Sequence, residues 1–142
     1  MKVRELMSKQ LISITPEEST AVAARLLSRY NIGALPVCSA EGKLRGMVTD
    51  RDIALRCIAA QEDPERLRVG EIMTRRVFAI DAEQSVGAAS ELMAQEQIRR
   101  LPVQREGKIV GMVSLADLSR EPACRDESSR ILSSVSRNVR TM

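Results

Sequence analysis

Gly46-Met47-Val48-Thr49-Asp50-Arg51-Asp52 and Gly111-Met112-Val113-Ser114-Leu115-Ala116-Asp117 are one phrase written twice in a chain of 142 residues. Working outward, the same shift of 65 residues lays Glu41-Gly42-Lys43 on Glu106-Gly107-Lys108. Beyond that loop the shift becomes 66, and Leu35-Pro36-Val37 falls on Leu101-Pro102-Val103, with Ile32 on Ile98. Further back, Ile14, Glu17, Ser19, Ala23 and Leu26 meet Ile80, Glu83, Ser85, Ala89 and Leu92. Val3, Glu5 and Met7 meet Val69, Glu71 and Met73. So many ordered matches with a single gap make the chain a tandem duplication.

Each copy carries the same succession of local signals. Leu11 to Ile14 and Val77 to Ile80 are short β-rich runs, followed by turn chemistry and the helix caps Ser19 and Ser85. Val22, Ala23, Leu26, Leu27 and Tyr30 recur at helical spacing, as do Val86, Ala89, Leu92 and Met93. Two strands follow, Ala34 to Cys38 with Leu44 to Thr49, then Leu101 to Gln104 with Ile109 to Ser114. Gly42 and Gly107 supply the positive φ that a tight hairpin wants. A second helix starts at Thr49-Asp50, carrying Ile53, Cys57 and Ile58, and a shorter one runs from Ser114 toward Ser119. The fold class is therefore α+β, two β-α-β-β-α repeats. Repeat 1 is expected over 1–60, a linker over 61–68, repeat 2 over 69–120 and a tail over 121–142. Each repeat is near the lower limit for an autonomous core, so the two are expected to form one module. In the tail, Ile131, Val135 and Val139 fall every fourth residue, as in a short amphipathic helix; a loose end is the other reading.

Composition bounds the function. Apolar residues make up 44% and charged residues 29%, the balance of a soluble globular protein. Tyr30 and Phe78 are the only aromatics, so the core is aliphatic. The absence of histidine excludes His-based triads and imidazole metal ligands. No nucleophile is paired with a base at readable spacing, so an enzyme is not expected, nor a metal site. The net charge of +3 comes from well-mixed residues, and without aromatic stacking platforms a specific nucleic-acid partner is not expected. Cys38, Cys57 and Cys124 are odd in number and form no CxxC pair, which suits a reducing cytoplasm. No apolar run approaches the ~18 residues of a membrane span, and no membrane partner is expected.

The duplicated hydroxyl and carboxylate, Thr49 with Asp52 and Ser114 with Asp117, admit two roles. At a strand end turning into a helix, they form a capping box with Asp in the acidic position. Equally, the carboxylate can accept hydrogen bonds from paired ribose hydroxyls beside a helix start that favours phosphate. Arg99-Arg100, directly before Leu101-Pro102-Val103, could clamp a phosphate through charge-assisted bonds, and copy one has Gly33-Ala34 in that place. Arg51 is a further candidate cation, Arg75-Arg76 a weaker one.

These motifs, Val-x-Glu-[Leu/Ile]-Met-[Ser/Thr], Leu-Pro-Val and Gly-Met-Val-[Thr/Ser]-x-x-Asp, in order and twice, resemble a pair of CBS (cystathionine-β-synthase-type) domains, a Bateman module. The likeness runs from about Val3 to Ser119, and the segments Ile32 to Val37 and Thr49 to Ile53 are similar to those of small stand-alone bacterial proteins of two such domains. It implies that the repeats pack by pseudo-twofold symmetry around two clefts and that two chains form a disc-like homodimer. It further implies an adenosine-containing regulatory ligand (AMP, ADP, ATP, S-adenosylmethionine or NAD) in those clefts, with no cofactor required. Carried over by position, Asp52 and Asp117 match the ribose-binding Asp, Thr49 and Ser114 its hydroxyl partner. Arg99, Arg100 and Arg51 resemble the cations that meet phosphate. The expected function is a sensor that passes its state to a protein partner; the alternative is a dimeric adaptor with empty clefts.

Overall fold

The computed structural model describes residues 1–124, 129, 131–133 and 135. The chain divides into two compact units that do not coincide with the sequence repeats. Unit 2 runs from Ile12 to Val77 and takes in Gly107–Ile109; unit 1 holds Met1–Leu11, Phe78–Glu106 and the described residues from Val110 on. Each copy's Val-x-Glu-x-Met segment thus belongs with the body of the other copy.

In unit 2, helix α2 (Thr20–Tyr30) begins where Ser19 Oγ accepts from Val22 N at 3.2 Å, and ends at Asn31 in the left-handed region. Its apolar stripe buries Ala23 and Leu27 beneath strands β1 (Ala34–Cys38) and β2 (Leu44–Thr49), an antiparallel pair. Gly42, at φ 88°, makes the hairpin turn between them. The β-rich run ahead of α2 contributes less strand than expected: Ile14 alone bridges, in parallel, to Val37. After β2, helix α3 (Asp50–Ile53) passes into a π-helical turn (Ala54–Ile58). Cys57 is buried there as the periodicity predicts, but Ile58 is exposed, because the wider π turn rotates the face away from a 3.6-residue period.

The short helix α4 (Val69–Ile72) completes unit 2. Its first turn is held by Glu71, whose carboxylate accepts from Arg68 N at 2.9 Å. Its backbone docks through Val69 N to Glu18 O and Gly70 N to Pro16 O. Thr74 then pairs with Met47, donating to and accepting from its backbone at 2.8 and 2.9 Å. Pro36 sits opposite Met47 in the hairpin. Both backbone groups of Met47 are turned to Thr74, so the missing N–H of Pro36 costs the ladder nothing.

Unit 1 repeats the plan with the other exchanged segment. Helix α1 (Val3–Leu6) is held by Glu5, which accepts from Lys2 N at 2.6 Å. It docks through Val3 N to Gln84 O and Arg4 N to Ala82 O. Strands β3 (Ile80–Asp81), β4 (Arg100–Arg105) and β5 (Lys108–Ser114) lie in that order, with β3 parallel to β4. Only two residues of the Val77–Ile80 region and its sequel form β3. Helix α5 (Val86–Glu96), capped by Ser85, buries Val86, Ala89 and Met93, and α6 (Leu115–Arg120) buries Leu118. Burying each such aliphatic side chain contributes about 1.5–3 kcal/mol, and with two aromatics in the chain this aliphatic set carries both cores. In the tail, residues 129, 131–133 and 135 are helical, and Ile131 and Val135 are buried in the unit 1 core. Val139 lies outside the described residues.

Gly46 and Gly111 are required by the exchange. A Cβ on Gly46 would lie 2.6 Å from Thr74 O, and one on Gly111 2.6 Å from Ser8 O. The Gly of one copy's Gly-Met-Val phrase therefore makes room for the Met-[Ser/Thr] segment of the other.

Candidate functional site

The two hydroxyl–carboxylate pairs are built alike. Thr49 Oγ1 accepts from Asp52 N at 3.0 Å, and Asp52 Oδ2 accepts from Thr49 N at 3.0 Å. Ser114 Oγ accepts from Asp117 N at 3.1 Å, and Asp117 Oδ2 accepts from Ser114 N at 2.8 Å. Both are reciprocal capping boxes, so the capping role is realised in each copy. Capping engages one side of each carboxylate and leaves the second oxygen for another donor.

What takes that second oxygen differs between the copies. Thr74 Oγ1 lies 3.3 Å from both oxygens of Asp52, and Arg56 Nε is 3.8 Å from Oδ1. Arg56 also donates to the carbonyls of Ile72 and Met73 at 2.9 and 3.4 Å, so one side chain ties the exchanged segment to the carboxylate. Around Asp117, Ser114 Oγ donates to Oδ2 at 3.0 Å and Arg120 forms a close ion pair with Oδ1. The Asp52 and Asp117 side chains are 9% and 12% exposed, whereas Arg120 is 73% exposed. Asp117 is therefore covered by a long arm extending into solvent, Asp52 by a short hydroxyl pinned to a β-bridge together with Arg56, which is itself tied to the Ile72 and Met73 carbonyls.

The structure places the remaining candidate residues as follows. Arg99 and Arg100 are exposed, and Arg99 O accepts from Leu115 N at 2.7 Å, so their backbone adjoins the turn that carries Ser114 and Asp117. In unit 2 the same contact runs from Asp50 N to Gly33 O at 3.0 Å, with no basic pair there. Arg51 is exposed on the first turn of α3, its N–H donating to Asp50 Oδ1. Among the described residues no hydrogen bond or ion pair joins the guanidiniums of Arg51, Arg99 or Arg100 to Asp52 or Asp117.

Thr74, Arg56 and Arg120 complete these sites, and the motifs assigned none of them a role there. Their signals exist in the sequence: Arg56 and Arg120 lie four and three residues after the carboxylates, where helical side chains meet. Thr74 is the duplicated hydroxyl of Met-[Ser/Thr]. Elsewhere, burial pushes the Cys38 thiol up, an effect partly offset by a hydrogen bond with Ser13, and burial likewise raises Cys57. All three cysteines are free and buried. Among the described residues no cluster of His, Cys, Asp and Glu could hold a metal ion, and no helix is long and apolar enough to cross a membrane.

Comparison with known proteins agrees with these repeats. The model of the CBS domain matches residues 3–58 and again 69–123. The CBS domain-containing protein YhcV of Bacillus subtilis is 37% identical over 134 residues, 94% of each chain. The crystal structure of Hypoxic Response Protein I with two coordinated zinc ions superposes with a TM-score of 0.79 at 34% identity, covering 85% of this chain and 98% of that one. The CBS domain pair of protein MJ0100, solved with 5'-methylthioadenosine and S-adenosyl-L-methionine, gives a TM-score of 0.74 at 31% identity, covering 84% and 94%.

Proposed function

This chain belongs to the CBS-domain family, carrying two copies of the domain, and from that premise we propose that it is a non-catalytic regulatory module that binds an adenosine-containing ligand. The observation that carries the reading is the pair Ser114 and Asp117 on a turn whose backbone adjoins Arg99-Arg100. A ribose diol donates to the outer oxygen of Asp117, taking the place of the solvent-extended Arg120. Arg99 and Arg100 meet the phosphate or other anionic group. Copy two is the preferred site, because Asp52 is closed by Thr74 and its copy has Gly33-Ala34 in place of the basic pair. The adenosine-bound form of the MJ0100 domain pair supports the ligand class.

Binding acts as a signal by favouring one arrangement of the chain over another, which a protein partner reads; the ligand must bind the two arrangements unequally. The chain works as a homodimer in the cytoplasm, a reducing compartment that suits three free thiols. The test is a thermal-shift screen against AMP, ADP, ATP, NAD and S-adenosylmethionine, followed by calorimetry. One of them raises Tm, by stabilisation of about 2.7 kcal/mol at a hundredfold excess over Kd. Asp117→Ala then weakens that ligand by about 1–3 kcal/mol, while Asp52→Ala changes its affinity much less. Unchanged affinity in folded Asp117→Ala discards the ribose role.

A second reading rests on one observation: both oxygens of each carboxylate already have intramolecular donors. The module is then a dimeric adaptor with empty clefts. It predicts that no adenosine compound moves Tm and that light scattering still reports a dimer.

A further inference from the structure

Unit 2 contains an open cleft of about 510 Å³ lined by Arg45, Arg68 and Arg75 with Glu17, Glu71, Pro16, Gly70 and Met73, none of them a capping-box residue. Its three guanidiniums come from three places: the start of β2, the turn before α4 and the segment after it. The floor between them is fixed. Gly70 N donates to Pro16 O at 2.9 Å, Met73 is buried, and Thr74 is bridged to Met47. A Cβ on Gly70 would approach Pro16 Cβ to 3.1 Å, so a side chain there would crowd the floor. Arg75 is folded back over α4, one Nη2 donating to Gly70 O at 3.2 Å, which leaves its other N–H donors available.

The duplicate of this region in unit 1 gathers a different set of cations on a carboxylate, in which Lys2 is the counterpart of Arg68. There Lys2, Arg4 and Arg105 converge on Glu83, at 2.9, 3.3 and 3.6 Å. Hydrogen bonding and charge from Lys2 and Arg4 hold its carboxyl below the usual range. In unit 2, Glu17 stands in the place of Glu83, Gly70 in that of Arg4 and Arg68 in that of Lys2. Among the described residues Glu17 is not ion-paired, and neither are Arg45, Arg68 and Arg75. Glu71 has one oxygen turned to the backbone N–H of Arg68, and Glu41 lies within the field of Arg45 and Lys108 without a close pair. Three arginines against two carboxylates leave the lining cationic.

We infer that the Arg45–Arg68–Arg75 cleft of unit 2 is a second anion site, taking a small polyanion of the diphosphate class between guanidiniums that have no ion-pair partner among the described residues. Guanidinium forks bind phosphoryl oxygens in pairs, so three of them around one cavity suit a ligand with two adjacent phosphoryl groups. The site stands apart from the adenosine reading and does not rest on it.

The probe is inorganic pyrophosphate, titrated into the full chain by calorimetry and by amide NMR. The expected result is saturable binding with shifts at Arg45, Arg68, Gly70 and Arg75. Arg45→Ala and Arg75→Ala each weaken it about tenfold, and Glu17→Gln tightens it by removing a like charge. Arg66→Ala, an exposed cation outside the cleft, and Arg100→Ala leave it unchanged. Melting curves verify that the variants are folded, and Arg75→Lys separates loss of the fork from loss of charge by recovering part of the affinity. No saturable binding overturns the proposal. So does equal weakening by Arg66→Ala, which means diffuse attraction, or loss in Arg100→Ala, which means that pyrophosphate reports the other site.

Discussion

Asp52 and Asp117 occupy the same place in two copies of one sequence, with the same backbone hydrogen bonds, yet their second oxygens answer to different partners. Asp52 is tied to Thr74, a two-atom reach from a backbone locked to Met47. Asp117 is tied to Arg120, a flexible arm with most of its surface in water. A short donor on a fixed backbone loses little entropy on bonding and holds; a long exposed ion pair is worth little and is readily exchanged for another donor. Duplication preserved the cap in both copies and left the exchangeable face to one of them. The carboxylates Glu17 and Glu83 diverge in the same manner, one ringed by its own cations and the other facing an open cleft.

The most severe way to break the comparison is at the glycines that both copies need. Gly46→Ala and Gly111→Ala each force a Cβ to 2.6 Å from a carbonyl oxygen, and each is expected to destabilise by about 2–3 kcal/mol in urea unfolding. A mild effect at either position means that the exchanged segment there is held loosely. The hydroxyls sharpen the contrast at smaller amplitude. Thr74→Val removes a bond to a buried carboxylate and costs about 1 kcal/mol, whereas Ser8→Ala, with no side-chain bond of this kind among the described residues, stays within about 0.5 kcal/mol. Equal costs would dissolve the distinction between the two sites.

The smallest effect is on Glu83. Its folded pKa is depressed by hydrogen bonding and charge, chiefly from Lys2. The stabilisation is therefore complete at pH values above the ordinary glutamate pKa and is lost as pH falls through the depressed folded value. Carboxyl NMR is expected to show Glu83 titrating below the ordinary glutamate range, and Lys2→Ala to move it upward. A titration untouched by Lys2→Ala removes the cation cluster from the account.

Much of the fold was legible because the signals are local. Ser19 and Ser85 cap their helices, Gly42 and Gly107 turn their hairpins, and the hairpin strands in both copies fall within a residue of the apolar runs that mark them. The β-rich runs before the first helices were less legible. Leu11 to Ile14 has the composition of a strand, but only Ile14 meets a partner, and composition does not count partners. Ile58 misled for a related reason, since a π turn changes the period on which the reading depends. At the site, Thr49, Asp52, Ser114 and Asp117 were visible as motifs. Thr74 was visible as the hydroxyl of Met-[Ser/Thr], but its role was not, because it is set by Asp52, a residue distant in sequence.

The sequence by itself determined the duplication, the order of elements within each copy, the aliphatic core and the capping pairs, all of which follow from residue type and short-range spacing. Only the tertiary structure decided which Met-[Ser/Thr] segment closes which hairpin. Both segments carry the same pattern and both Gly-Met-Val strands offer the same gap, so pairing within a copy and pairing across copies read identically in one dimension. The exchange sets Thr74 against Asp52 and leaves Asp117 to Arg120. It also lays the segment carrying Arg68 and Arg75 beside Arg45. Those juxtapositions come from chain paths through space, which local propensity does not encode.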